Sequence, residues 1–180
     1  MSRAKNPYKL DVVSIRLVKD APLYSGHPIK NPLDAVSLVG EQLCEMDREV
    51  LCVINLCSDG KPINCSFVSV GTINESLAHP REIFKSSILS NAACMLIVHN
   101  HPSGNLTPSK SDTMLTDRMV KMCNYMGIPL EDHIIVGGDN TSYFSFKEKN
   151  IMPALKCLVS TDYHDIDFNL PFVAEEGRAR

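Results

Sequence analysis

The stretch CMLIVHNHPSGN (Cys94–Asn105) decides how the chain is read. It opens on an apolar run that includes β-branched Ile97 and Val98, the composition of a short buried strand. Two histidines one residue apart follow, and then Pro102, Ser103 and Gly104 turn the chain sharply. In extended backbone, side chains two residues apart point the same way. If the strand stays extended through Asn100, His99 and His101 offer two imidazoles to one point at the rim of a rigid element.

Two nitrogens alone hold a metal weakly, and a catalytic zinc site typically has three protein ligands plus a water. Asp112 is the best candidate for the third. It lies eleven residues after His101, in the first turn of a helix predicted over 109–127. Asp112, Leu115, Met119, Met122 and Met126 recur at helical spacing there, and Gly127 suits the helix end. The loop read over 99–108 is long enough to fold that first turn back over the strand end. Ser109, three before Asp112, has two uses. It can cap the helix, because Ser-x-x-Asp is close to a capping box, or it can point its hydroxyl at a developing oxyanion. A buried histidine is usually a satisfied core residue, so the combination carries the metal reading and the parts do not. A hydrolytic zinc site also needs a base. Glu49, at the mouth of a predicted strand 50–57, is the candidate, with Glu45, Glu75 and Glu82 as rivals. Glu82 stands in the first turn of a helix, where the dipole alone favours a carboxylate.

Outward from this centre, strands and helices alternate. YKLDVVSIRLV (8–18) has strand composition. Asn31 and Pro32 mark a helix start, and that helix runs to about Met46 with Ala35, Val36, Val39, Leu43 and Met46 on one face. VLCVINLC (50–57) and INCSFVSVG (63–71) form a hairpin about an Asp-Gly turn. HPREIFKSSILSNAA (79–93) reads as a helix with Ile83, Phe84, Ile88 and Leu89 inward. DHIIVGG (132–138) and TSYFSF (141–146) form a second hairpin. The expected class is α/β, with a mixed central sheet flanked by helices. Three segments are expected: an N-terminal extension over 1–30, a metallohydrolase domain over 31–152, and a tail over 153–180.

A net charge of −3 does not support a broad grip on DNA, which needs many Lys and Arg. The seven cysteines, at 44, 52, 57, 65, 94, 123 and 157, include no Cys-x-x-Cys pair and read as reduced, buried thiols rather than a zinc ribbon. The N-terminus MSRAKNPYKLDVV has no apolar signal region, and no run is long enough to span a bilayer. The expected location is the cytoplasm, with no membrane partner. A nuclease of the His-Asn-His kind fails because its named residues lie far apart in sequence, whereas here they are consecutive. A zinc deaminase needs His-x-Glu followed by Pro-Cys-x-x-Cys. An iron oxygenase with two histidines and a carboxylate is disfavoured by the lack of many short jelly-roll strands.

The pieces EVLCVINL (49–56), GTIN (71–74), HPREIF (79–84), HNHPSGNLTPSKSD (99–112) and DHIIVG (132–137) resemble, in order, the RadC family, a branch of the JAMM/MPN metalloenzymes. The resemblance implies a cytidine-deaminase-like α/β/α core and a zinc ion held by His99, His101 and Asp112. It implies Glu49 as the general base, Ser109 as support for the tetrahedral intermediate, and hydrolysis of an amide or isopeptide bond in a peptide or protein by a zinc-activated water. The residues ahead of Glu49 are too few for the helix-hairpin-helix region of longer RadC proteins, so the expected form is a short one. A non-catalytic binding module linked to DNA repair or mobile elements is the alternative. His79 is expected at a helix start, and Asp132 and His133 are expected to orient one another at a strand opening.

Overall fold

The computed structural model describes Ser14, residues 16–70 and residues 79–154. The elements run α1 (Pro32–Cys44), β1 (Val50–Leu56), β2 (Pro62–Val70), α2 (Pro80–Leu89), β3 (Cys94–Asn100), α3 (Lys110–Met126), β4 (Leu130–Val136) and β5 (Tyr143–Ser145). The strands form one mixed sheet in the order β2-β1-β3-β4-β5. β3 and β4 are parallel, and the other neighbouring pairs are antiparallel. Parallel neighbours need a crossover, and α3 supplies it.

Both faces of the central strands are covered, which explains their continuous apolar runs. Val50, Cys52, Ile54 and Leu56 of β1 and Leu96 and Val98 of β3 pack with Ala35, Val36, Val39 and Leu43 of α1. The alternate residues Leu51 and Val53 of β1 and Met95 and Ile97 of β3 pack with Ile83 and Phe84 of α2 and Leu115, Met119 and Cys123 of α3. The result is three layers, with α1 on one side and α2 and α3 on the other, the α/β/α order that the family resemblance implies. Strand periodicity then places any odd-numbered residue at the end of β3 on the α3 side.

Several boundaries differ from the sequence reading. The strand expected over 8–18 is absent at Ser14 and 16–18, where Leu17 and Val18 are exposed and no ladder supports them, and the rest of it lies outside the described residues. α1 ends at Cys44, which leaves Met46 past the helix and 39% exposed. α2 stops at Leu89, four residues early, because Asn91 takes a left-handed φ of 49° and reverses the chain. Ile88 and Leu89 are exposed. The inner face carries Ser86 and Ser87 instead, since that part of the sheet presents the buried amide of Asn55, which donates to Ser86 Oγ at 3.2 Å. Met126 is likewise exposed at the last turn of α3, and Gly127 there takes the left-handed conformation that ends the helix (φ 66°). The six described cysteines are free thiols, yet only Cys52 and Cys123 are buried. Among the described residues no helix is long and apolar enough to cross a membrane. GTIN (71–74), Glu75 and the tail after 154 lie outside the described residues.

Candidate metal centre

β3 continues two residues further than its apolar run, through His99 and Asn100. The His101 amide then donates to the Val136 carbonyl at 3.0 Å, which extends the register one residue beyond the strand. The chain is therefore extended where the side chains must agree, and His99 and His101 fall on the same face. Their rings meet edge to face, with centroids 4.9 Å apart and Nε2 atoms 3.1 Å apart. The turn that follows fixes the second ring: His101 Nδ1 lies 2.6 Å from the Asn105 carbonyl, and Gly104 accepts a φ of 73° that a side chain would resist. A carbonyl only accepts, so His101 carries a proton on Nδ1, which in the neutral ring leaves Nε2 bare.

Asp112 arrives from α3. Its backbone amide donates to Ser109 Oγ at 3.1 Å, and its Oδ2 accepts from the Ser109 amide at 2.6 Å, a complete capping box. The same carboxylate places Oδ1 3.3 Å from His99 Nε2 and Oδ2 3.4 Å from His101 Nε2. One carboxylate thus both completes the helix cap and faces the two imidazoles. Burial pushes the Asp112 carboxyl up, but the neighbouring His101 and His99 imidazoles, together with Ser109, outweigh it and hold the group well below the usual carboxylate range. The same carboxylate raises the His101 imidazole, against the opposing effect of burial.

Glu49 joins from the residue just before β1. Leu51 pairs with His99, so Glu49, two residues earlier, falls on the same face at the same end of the sheet. Its Oε1 is 4.0 Å from His99 Nε2, and its side chain is 36% exposed. Ligand atoms of Glu49, His99, His101 and Asp112 all lie within 4.8 Å of one another. Of its rivals, Glu45 sits at the C-cap of α1 and Glu82 pairs with Lys85, and neither belongs to the cluster. Asn100 holds the Glu49 segment on both sides: its Oδ1 accepts from the Val50 amide at 2.7 Å and its Nδ2 donates to the Arg48 carbonyl at 3.0 Å.

Two further residues stand behind the cluster. His133 is fully buried on β4, stacked on Phe146. Its backbone amide donates to Asp132, as expected, but its ring engages neither Asp132 nor solvent. Instead Nε2 lies 2.8 Å from His99 Nδ1 and Nδ1 lies 2.6 Å from Thr116 Oγ1. Burial pushes this imidazole well below the usual histidine range, and charge on His99 acts in the same direction. Sequence reading missed Thr116 and Asn100. Thr116 is a polar residue one turn after Asp112 on the apolar face of α3, and that position was the available signal. His79 takes the plain role expected of it: its Nδ1 accepts from the Arg81 amide at 3.2 Å at the N-cap of α2.

A strand-end pair of imidazoles, a helix-start aspartate and a carboxylate at the rim fit a metal site of the JAMM type. The comparisons with known proteins agree. The RadC-like JAB domain matches residues 29–151, and the chain belongs to that family. It is 40% identical over 124 residues to a UPF0758 protein of Moorella thermoacetica, covering 69% of this chain and 53% of that protein. It is 44% identical over 124 residues to a UPF0758 protein of Clostridium perfringens (69% and 54%) and 38% identical over 128 residues to one of Protochlamydia amoebophila (71% and 54%). The chain spans about half the length of these relatives.

Proposed function

We propose that residues 31–152 form a cytoplasmic, zinc-dependent metallohydrolase that cleaves an amide bond, peptide or isopeptide, in a peptide or protein. The observation that carries this reading is the convergence of two imidazole nitrogens and a carboxylate. His99 Nε2, His101 Nε2 and Asp112 stand 3.1, 3.3 and 3.4 Å apart. Ligands at about 2.0–2.1 Å from a tetrahedral zinc ion are separated by about 3.4 Å. The donor set, two nitrogens and one oxygen, also suits zinc.

When bound, the ion would supply Lewis acidity, lowering the pKa of a water and polarising a carbonyl. The chain's own residues do the rest. His99, His101 and Asp112 would hold the ion, and Glu49 stands beside them with its side chain 36% exposed. Glu49 takes the proton of the attacking water on its carboxylate and passes it to the leaving amine nitrogen. Its partial exposure suits a group that must meet water and substrate. The Ser109 hydroxyl accepts from the Asp112 amide, so its own proton remains available to a developing oxyanion. Asn100 fixes the backbone on both sides of Glu49, which limits where that carboxylate can swing.

The test is metal content followed by turnover. Purified protein is expected to hold one zinc per chain and to hydrolyse members of a panel of peptide and isopeptide amides. His101→Ala is expected to lose the zinc, and retention of the full amount rules out this centre. Glu49→Gln is expected to keep zinc and lose turnover, and unchanged turnover removes Glu49 from its role.

A further inference from the structure

Resting on the metal-centre reading above, we propose that Thr116 and His133 are positioning residues that lock His99 in the tautomer able to bind a metal. The argument follows hydrogen-bond polarity from one fixed end. Thr116 Oγ1 has one proton and two partners, both at 2.6 Å: the Asp112 backbone carbonyl and His133 Nδ1. The carbonyl can only accept, so the hydroxyl proton goes there. His133 Nδ1 must then be the N–H that Thr116 accepts. A neutral imidazole carries one proton, so His133 Nε2 is bare. It faces His99 Nδ1 at 2.8 Å, which must therefore be an N–H. That leaves His99 Nε2 bare and aimed at His101 and Asp112.

The circuit starts and ends at one residue: it runs from the Asp112 carbonyl through Thr116 and His133 to His99, whose bare Nε2 faces the Asp112 carboxylate at 3.3 Å. Each of these residues is buried: His99 is 1% exposed, His133 and Thr116 not at all, and Asp112 5%. Water therefore cannot substitute for a missing partner or relax the polarity. The circuit joins α3, β3 and β4, so the helix that brings the third ligand also dictates the protonation pattern of the first. A ligating histidine is commonly oriented through its second nitrogen, and loss of that outer partner costs about 10–100-fold in metal affinity. Here the partner is itself a histidine, whose polarity is set one step further out, by a hydroxyl on the ligand helix.

The experiment measures zinc affinity by competition with a chromophoric chelator, using the full chain and checking each variant's fold by thermal melting. Thr116→Val keeps the shape and removes the hydroxyl, so His133 loses the partner that fixes its proton. Its zinc affinity is expected to fall about tenfold, within the range for lost outer-sphere partners, whereas Thr116→Ser is expected to rescue it. His133→Phe is expected to weaken zinc by up to about 100-fold. If that variant does not fold, Thr116→Val carries the test. A second readout needs no metal: ¹⁵N-labelled imidazole spectra of the chelated protein at alkaline pH are expected to show His99 as the Nδ1–H tautomer in the wild type and a mixture in Thr116→Val. Folded Thr116→Val with wild-type zinc affinity, or His99 already in the Nε2–H form, overturns the proposal. Wild-type protein that binds no zinc, or His101→Ala that binds it fully, overturns the metal centre itself, a different result from an intact centre indifferent to Thr116.

Discussion

Two helices in this protein begin with the same device, and only one of them builds a site. At α1, Asn31 Oδ1 accepts from the Asp34 amide and Asp34 accepts from the Asn31 amide. At α3, Ser109 and Asp112 repeat the exchange. Among the described residues, the Asp34 carboxylate accepts from the Lys30 and Asn31 backbone amides and lies 4.0 Å from the ring of an exposed His27. The Asp112 carboxylate sees two histidine nitrogens, one of them on a ring 1% exposed. Local chemistry is nearly identical at the two ends. What differs is the neighbour across the gap: α3 starts opposite the end of β3, where the strand has carried two imidazoles out of the sheet.

This contrast can be broken first at the carboxylates. Asp112→Asn is expected to abolish stoichiometric zinc, whereas Asp34→Asn should keep it and cost about 0.5–2 kcal/mol of stability, the range for a helix cap. Metal analysis and urea denaturation of both variants decide, and equal zinc in the two erases the distinction. Next in size, Glu49→Gln should leave zinc in place and lower turnover by about 10²–10⁴-fold, the usual range for a general acid–base residue. Asn100→Ala sharpens the comparison, because it separates residues that bind from residues that place. It strands the Val50 amide and the Arg48 carbonyl, at about 1–3 kcal/mol for each buried group. A fall in melting temperature with zinc retained is expected, and lost zinc would make Asn100 part of the binding apparatus.

The smallest effect is in pH. In chelated protein Asp112 is depressed from 3.8, so its stabilisation is present above that value and disappears as pH falls through its folded pKa. His101 is raised from 6.5, chiefly by Asp112, so its contribution is present below 6.5 and disappears as pH rises through the raised value. The pair therefore stabilises the metal-free fold most between roughly pH 4 and 6.5. Asp34, lowered mainly by the Lys30 amide, adds only an acid limb. Melting temperatures in chelator should fall from pH 6.5 upward in wild type and in Asp34→Asn, and less in Asp112→Asn. Parallel curves for all three remove the coupling.

Much of this was legible in the chain. The apolar runs of β1 and β3 announced strands covered on both faces, and the histidine pair at the end of β3 needed only two more extended residues to converge. Pro80 and Gly127 marked their helix ends. The failures have one cause. Ile88, Leu89 and Met126 were placed inside because apolar residues at helical spacing look alike, whether they sit over the sheet or beyond its edge. His133 looked like a strand-end polar residue because its partners, Thr116 and His99, are 17 and 34 positions away.

The sequence by itself determined which residue types stand at the strand end and the helix start and how neighbours on one element are oriented, because strand and helix periodicities fix which way neighbouring side chains point. Only the tertiary structure decided that Ser-x-x-Asp faces a histidine pair while Asn-x-x-Asp does not, that Asn100 holds the Glu49 segment, and that one buried hydroxyl sets the protons of two rings. Those outcomes depend on which strand end lies opposite which helix start, a matter of packing across the sheet that no local period encodes.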